Sequence, residues 1–353
     1  MTLRLGYQIA VLAAIFAIAA LPVTAGGAPL FDSNETLSVR LEAPMRQLLR
    51  HRESDQKYGA VLTYTDTAGI EQNLNLKLAT RGRSRLEVCD FPPLRLIFNP
   101  DDASATVFAD QRRLKMVTQC KRGGRGEDWT LQEYGIYRAY NVITDYSYRV
   151  RWLEVDFRDT ESTRWQKIQG TFLIESTDAA ARRVQRKSIG PPQVRSEQFS
   201  VVETSLNMLF QYLIGNTDFA VKRGPSGEAC CHNGRVLAPP DRYDDWVVLP
   251  FDFDQAGIIS TDYALPDANF SIRRVSTRLY RGFCAQNSVL SDSIALFNDR
   301  RSDITAALLP PGLSKSRHKR ALRFIDRFYD TVNDPQKLQR EILDKCRGPR
   351  PTN

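Results

Sequence analysis

The sequence is poor in the residues that build histidine-rich metal sites and redox motifs. It has three histidines in 353 residues, and they lie far apart in the chain, which disfavours a metal centre that relies on imidazole ligands. Its six cysteines include no pair spaced Cys-x-x-Cys, so thioredoxin-type redox chemistry and zinc ribbons are also disfavoured. Glycine and proline number 20 and 18, too few for a fibrous or low-complexity chain.

The remaining composition is that of an ordinary globular protein. Hydrophobic residues make up 42% and charged residues 25% of the chain, which argues against disorder. The length predicts one large domain or two lobes, at about 150 residues per domain. The formal charge of +8 favours anionic partners without selecting among nucleic acid, phosphate and membrane. None of the familiar nucleic-acid-binding motifs is present, so we expect no nucleic-acid partner.

The first 25 residues have the order of a secretory signal peptide. Arg4 precedes an apolar run from Ile9 to Val23, and Val23-Thr24-Ala25 offers small residues at the spacing of a cleavage site. The run is short for a membrane span of about 20 residues, although an uncleaved anchor is the alternative. We therefore expect cleavage near Ala25, no membrane span in the mature chain, and a periplasmic or secreted protein.

Export makes disulfide bonds the expected state of the cysteines. Six cysteines allow about 15 pairings, and the sequence alone does not choose among them. Our preferred set joins Cys89 to Cys120, and either Cys284 or Cys346 to the neighbouring Cys230 and Cys231.

Hydrophobic periodicity predicts an α+β protein with a β-rich first half. Strands are expected over residues 58–65, 70–79, 94–98, 105–108, 148–157 and 168–174, with one helix over 130–141. In the second half, helices are expected over 202–213, around 322–329 and from 334 to 346, with a polar loop over 216–245 and a short strand over 247–249. We therefore expect a β-rich lobe over 26–175 and an α-rich lobe over 176–353.

Four polar residues follow regular elements of the second half. Asp218 comes shortly after an apolar helix, Asn233 lies in the polar loop, and Asp252 and Asp254 come directly after a buried strand. Carboxylate and amide oxygens suit magnesium, and a carboxylate also suits the acceptance of a hydroxyl proton during phosphoryl transfer. Two acids so close would repel each other if both faced inward without a cation. Asp218 and Asn233 also have a simpler interpretation, as a helix-ending or turn residue.

The order Gly215-Asn216-Thr217-Asp218, His232-Asn233, Asp252-Phe253-Asp254 resembles the active-site half of atypical protein-kinase-like folds. The resemblance is to the CotH-type spore-coat kinases and, more distantly, to the HipA-type kinases. It implies a two-lobed kinase-like fold that uses ATP and magnesium. It also implies that Asp218 is the catalytic aspartate, that Asn233 binds metal, and that Asp252 is the metal aspartate of the kinase Asp-Phe-Gly triplet. Asp254 stands at the third position of that triplet, where it would share or take the metal role.

The same resemblance assigns cofactor-binding roles in the first half. Lys115 would be the strand lysine that holds the nucleotide phosphates, and Glu133 its ion-pair partner. Arg81 opens a basic turn where a phosphate-covering loop would fall, and Glu175 would lie near the adenine. For Glu133 the alternative is a capping box with Thr130, and for Lys115 a surface lysine whose stem covers apolar neighbours.

Two departures from the kinase pattern keep other functions open. There is no Gly-x-Gly-x-x-Gly, and Asp218 and Asn233 lie 15 positions apart, against about five in the ordinary kinase catalytic loop. The first hypothesis is an exported phosphotransferase that acts from ATP on a protein or small hydroxyl acceptor. The second is a catalytically inactive kinase-like binding scaffold of the periplasm or cell envelope. A metal-dependent phosphate-ester hydrolase using Asp252 and Asp254 is the third, and the shortage of histidine weighs against it.

Overall fold

The structure, a computed structural model, describes residues 30–349. The predicted signal peptide over residues 1–25 therefore lies outside the described residues. The strands are β1 Leu37–Ala43, β2 Tyr58–Thr65, β3 Glu71–Thr80, β4 Leu94–Phe98, β5 Arg113–Val117, β6 Val150–Asp159, β7 Ser162–Ile174, β8 Lys187–Ile189, β9 Gly234–Ala238 and β10 Val247–Pro250. The α-helices are α1 Met45–Arg50, α2 Ser84–Val88, α3 Pro100–Ala103, α4 Gly124–Ile143, α5 Thr177–Arg183, α6 Val201–Ile214, α7 Leu290–Asp299, α8 Arg301–Leu308, α9 Lys315–Val332 and α10 Pro335–Glu341. The expected α+β class is confirmed.

The first seven strands form a closed barrel in the order β1-β2-β3-β4-β5-β7-β6. Every neighbouring pair is antiparallel except β1 and β6, which run parallel and close the barrel with Leu37 opposite Leu153. In β3 the alternation of leucine with polar residues buries Leu74, Leu76 and Leu78 and exposes the residues between them. Because successive side chains of a strand point to opposite faces, the apolar side chains on one face of each strand fill the barrel interior.

Helix α4 connects the barrel to the helical half. Its ring of Tyr137 lies 5.7 Å from the ring of Phe172 in the barrel strand β7 and 4.8 Å from that of Phe253, beyond β10. Gly135 allows close packing on α8, since an added Cβ would lie 2.5 Å from the carbonyl oxygen of Ala307. The helix therefore sits in the core and fixes one half of the molecule against the other.

A second, three-stranded antiparallel sheet in the order β10-β9-β8 lies beyond the barrel. Strand β10 is buried along its whole length and ends at Pro250. Helix α6 ends at Gly215, which has a left-handed φ of +67° and a position where a Cβ would lie 2.7 Å from the ring of Phe324. Glycine is the residue that adopts this conformation without strain. The ends of β10 and α6 deliver the two polar segments described below.

Several sequence predictions of local structure are confirmed and others are wrong. The strands at 58–65 and 94–98 have the predicted bounds, whereas residues 105–108 form turns in which Phe108 is buried and stacks 5.2 Å from Phe98. Phe108 packs into the core from a loop. Its apolar character therefore reflects burial and does not indicate a strand. The predicted loop over 216–245 contains β9, and β1 was not predicted.

The disulfide prediction is correct for one bond and wrong for the others. Cys89 is bonded to Cys120 as predicted, but Cys230 is bonded to its neighbour Cys231, and Cys284 to Cys346. The backbone explains the last pair, because the amide of Cys284 donates to the carbonyl of Arg347 and holds the C-terminal segment beside it. Within residues 30–349, no helix combines the length and the apolar character that a bilayer crossing requires.

Candidate functional site

Asp218 lies in a polar turn directly after α6. The left-handed Gly215 ends the helix, and the side-chain oxygen of Asn216 accepts a hydrogen bond of 3.0 Å from the amide of Asp218. The Asp218 carboxylate accepts a 2.8 Å hydrogen bond from Nε2 of His232 and a 3.0 Å bond from Nδ2 of Asn233. Both oxygens of the carboxylate are therefore held in fixed directions.

The long gap between Asp218 and Asn233 is a loop that returns to its starting point. The amide of Ala220 donates to the carbonyl of His232, and Nδ2 of Asn233 donates to the carbonyl of Asp218 at 2.8 Å. Arg281 donates to the backbone carbonyls on both sides of Asp218, those of Thr217 and Phe219. The expected meeting of Asp218 with Asn233 is therefore found, although the kinase spacing is absent.

The pKa of His232 is shifted by acids from both acidic segments of the site. Its hydrogen bond to Asp218 raises the pKa of the imidazole, burial opposes the rise, and the charges of Asp218 and Asp252 add to it. The side chain of His232 is 40% exposed, so water screens these interactions. The amide of Phe251 donates to the carbonyl of Asn233 at 3.1 Å, which holds the segment after β10 beside the Asp218 turn.

The segment after β10 carries two acids that a buried arginine holds. Nη2 of Arg85 lies 2.8 Å from Oδ1 of Asp252 and 2.8 Å from Oε1 of Glu133 on α4, and Nε lies 2.9 Å from Oδ2 of Asp254. The side chains of Arg85, Glu133 and Asp254 are 7%, 4% and 8% exposed, whereas Asp252 is 35% exposed. We call Arg85, Glu133, Asp252 and Asp254 the arginine–carboxylate cluster.

Burial and charge act in opposite directions on the acids of this cluster. Burial raises the pKa of Glu133 to about 7, with Arg85 opposing the rise. Burial also raises the pKa of Asp254, again against Arg85. For Asp252 burial acts the same way, but Arg85, Arg81 and Lys115 outweigh it and hold the pKa of Asp252 below its ordinary value. Asp252 is therefore the most firmly ionised acid of the cluster.

Three further cations lie near Asp252 or the neighbouring Phe251. Nζ of Lys115 lies 4.2 Å from the ring centre of Phe251, and the guanidinium of Arg235 lies 4.8 Å from the same centre. Burial, with repulsion from Arg81 and Arg235, lowers the pKa of Lys115 to about 7 against the opposing charge of Asp252. Among the ion pairs of the described residues, none involves Arg81, Lys115 or Arg235. Because none of these three cations forms an ion pair within residues 30–349, this side of the site is suited to an anion.

Two of the proposed cofactor-binding acids have other partners. Glu133 makes its ion pair with Arg85 and not with Lys115, because Arg85 reaches α4 from α2 while Lys115 lies over an aromatic ring. The alternative capping box is also wrong, since α4 begins at Gly124. The carboxylate of Glu175 is bonded to Arg183 at 2.8 Å and to the amide of Arg149 at 3.0 Å, so it stabilises the end of β7.

Magnesium does not fit the residues as they are arranged. In the stretch from residue 30 to 349, no set of three or more His, Cys, Asp or Glu side chains is disposed to hold a metal ion. Asp252 and Asp254, which the resemblance assigns to the metal, both accept hydrogen bonds from Arg85. Asn233 points its amide nitrogen at Asp218 instead of offering its oxygen to a cation beside it.

The sequence interpretation missed Arg85, Arg235 and the contact of His232 with Asp218. Arg85 follows Arg81 and Arg83 in a stretch that looks like a solvated basic turn. Its burial depends on acids far along the chain, so no local pattern marks it. His232 carried a usable signal, because it directly precedes Asn233.

An open cleft of about 770 Å³ adjoins the Asp218 turn. Its lining includes Asp218, His232, Ser84 from α2, Tyr263, Phe270 and Arg281. Because the Asp218 carboxylate faces this space, a bound hydroxyl compound has access to it. Comparison with known proteins adds no family: no protein-family model matches the chain, and no curated protein matches it.

Proposed function

We propose that this chain is an exported phosphotransferase with a two-lobed, kinase-like arrangement, in which the barrel forms one lobe and the helical half the other. Three disulfide bonds among the described residues are compatible with an oxidising compartment such as the periplasm or the outside of the cell. The acceptor is a hydroxyl group on a protein or a small molecule.

The observation that carries this proposal is the Asp218 carboxylate, oriented by His232 and Asn233 at the edge of an open cleft. A carboxylate positioned within hydrogen-bond reach of an acceptor hydroxyl orients it and takes its proton. His232 keeps the carboxylate in one direction by donating its Nε2 hydrogen bond. Fixing this geometry in advance lowers the entropic part of the barrier.

A nucleoside triphosphate fits the cationic side of the site. Arg81, Lys115 and Arg235 would hold its phosphates, since all three lack an acidic partner, and the nucleotide would supply the phosphoryl group. The residues do not fit magnesium, so we assign no step to a metal. Neutralisation of phosphate charge falls to these side chains, which act as fixed cations in a partly desolvated site.

A catalytically inactive binding scaffold is the second candidate, and Arg85 is the observation that favours it. Its guanidinium engages both acids that the kinase resemblance assigns to metal binding. A protein of this kind would bind a phosphate-bearing ligand and present its surface to a partner in the periplasm or cell envelope, without transferring phosphate.

Two measurements on the same variants separate these functions. Binding of a fluorescent ATP analogue reports on the cationic side, and transfer from labelled ATP to the chain itself or to a mixture of hydroxyl acceptors reports on Asp218. For the phosphotransferase we expect Asp218→Asn to abolish transfer while leaving nucleotide binding within about threefold. The matched control is Asp262→Asn, an exposed acid near the cleft, which should change neither.

The outcomes have distinct meanings. Nucleotide binding without transfer by the unmodified chain supports the scaffold and rejects the phosphotransferase. Absence of nucleotide binding under all conditions rejects both.

A further inference from the structure

The arginine–carboxylate cluster replaces a metal ion with a side chain of the protein itself. We propose that Arg85 is a permanent resident cation at the position where a divalent ion would bridge Asp252 and Asp254, and that Arg81 and Lys115 bind phosphate groups without any divalent metal. The part of this proposal that concerns phosphate rests on the proposed function.

The geometry of the cluster suits a guanidinium and excludes a metal ion beside it. Arg85 places its N–H groups 2.8 Å and 2.9 Å from Asp252 and Asp254, and the same Nη2 also reaches Glu133. Magnesium needs oxygen ligands at about 2.0–2.1 Å in octahedral geometry. A metal ion added to this arrangement would have to displace charge-assisted hydrogen bonds and would lie against a fixed positive charge.

Arg85 is anchored in this position by the residue that follows its helix. It lies in the short helix α2, and the next residue after that helix, Cys89, is bonded to Cys120, close behind the strand that carries Lys115. The carbonyl of Cys89 also accepts a 2.7 Å hydrogen bond from Nη1 of Arg52. The disulfide bond and the backbone hydrogen bond at Cys89 fix the end of helix α2. Arg85 is therefore a permanent part of the site.

The charges near Asp252 balance without an added ion. Asp252, Asp254 and Glu133 supply three acids, while Arg85, Arg81 and Lys115 supply three bases, all within electrostatic range of Asp252 or Arg85. Metal ions in kinases neutralise the acids and the phosphates together. In this chain Arg85 hydrogen-bonds all three acids, and Arg81 and Lys115, which form no ion pair among the described residues, remain available to contact an anion.

Manganese alone, used as the probe, tests the resident cation by equilibrium dialysis and paramagnetic resonance. We expect wild-type protein to bind no stoichiometric Mn²⁺. Arg85→Ala exposes the acids to one another and should gain one Mn²⁺ per chain, with affinity tighter than wild type by roughly tenfold or more. The control Arg83→Ala removes an arginine of the same segment whose ion pair with Glu228 is exposed, and it should behave as wild type.

Two results of the manganese measurements would each overturn the inference. The first is a wild-type chain that binds one Mn²⁺ and loses it in Asp252→Asn. The second is a folded Arg85→Ala protein, with unchanged circular dichroism, that gains no Mn²⁺. Should Arg85→Ala not fold, the wild-type measurement and Arg85→Lys, which retains the charge and should bind no Mn²⁺, decide the question.

The phosphate arm uses pyrophosphate and ATP, each titrated into wild-type protein in EDTA and then with magnesium. We expect binding in EDTA that magnesium does not strengthen, since Mg²⁺ complexes both ligands in solution. Binding that appears only with magnesium overturns the inference while supporting the proposed function. Absence of binding in both conditions rejects the proposed function, and the manganese measurements then stand as the separate test of Arg85.

Discussion

Removal of the Arg85 guanidinium should destabilise the folded chain strongly and in a pH-dependent way. Arg85→Met keeps much of the side-chain volume and deletes the charge, leaving Glu133 and Asp254 buried at 4% and 8% exposure. Breaking a buried ion pair from one side costs about 3–5 kcal/mol. Asp252 is 35% exposed and stays solvated, so it adds little to the loss. We therefore expect the free energy of unfolding at neutral pH to fall by about 3–5 kcal/mol. The loss should be smaller than the sum of three independent ion-pair energies, because the three acids share one arginine.

The loss should shrink in acid. Burial already raises the pKa of Glu133 from 4.5 to about 7 in the folded chain, and deleting Arg85 raises it further. When the pKa of an acid is higher in the folded chain than in the unfolded chain, the folded protein becomes less stable as the pH rises from the unfolded pKa to the folded pKa. In Arg85→Met the buried acids can take up protons at low pH, so the difference from wild type should be smaller at about pH 5 than at about pH 7.5.

Urea unfolding followed by circular dichroism and tryptophan fluorescence measures both effects. Arg83→Met is the matched control, since its ion pair with Glu228 is exposed at 79% and 43% and should contribute under about 1 kcal/mol. The reasoning fails if Arg85→Met is as stable as Arg83→Met near neutral pH, or if its deficit does not change with pH.

Two further predictions concern the anion side and the turn that carries Asp218. The pKa of Lys115 is lowered to about 7, so affinity for pyrophosphate should fall about tenfold between about pH 6 and about pH 8 as the ammonium loses its proton. Calorimetric titration of Lys115→Arg, which keeps its charge, should show a much flatter profile, and equal slopes for the two proteins would contradict this assignment. Gly215→Ala should cost at least about 1–2 kcal/mol in urea unfolding, because it strains a left-handed residue and pushes a Cβ toward Phe324. Gly59→Ala, which adds its Cβ to open space, is the control and should be near neutral; an equal effect at both positions would refute the steric argument.

Local patterns in the sequence were sufficient for much of the barrel. The alternation in β3 and the Asp66–Gly69 turn before it predict a hairpin, and β2 and β3 pair in that way. Local patterns did not reveal β1, whose partner β6 lies far along the chain. They also misassigned residues 105–108, because an apolar residue that fills the core from a loop has the same local composition as a short strand.

The candidate site divides in the same way. Asp218 and Asn233 were predicted to meet and they do. The sequence marks the end of the helix before Asp218, whereas strand β9, which follows Asn233, was not predicted. The pair Lys115–Glu133 was wrong because the choice of partner depends on Arg85, which comes from a segment with no local sign of burial. Ion pairs between residues far apart in the sequence are set by the tertiary structure. The periodicity of a single sequence therefore does not predict them.

The parallel pairing of β1 with β6 has a consequence for how the chain acquires its structure. Because the barrel closes only when these two strands meet, β1 emerges early in synthesis with one hydrogen-bonding edge that waits for a strand made much later. Non-local pairing of this kind slows folding, and an unsatisfied edge is a template for association with other chains. Refolding yield should therefore depend on protein concentration, with self-association competing during the interval before closure.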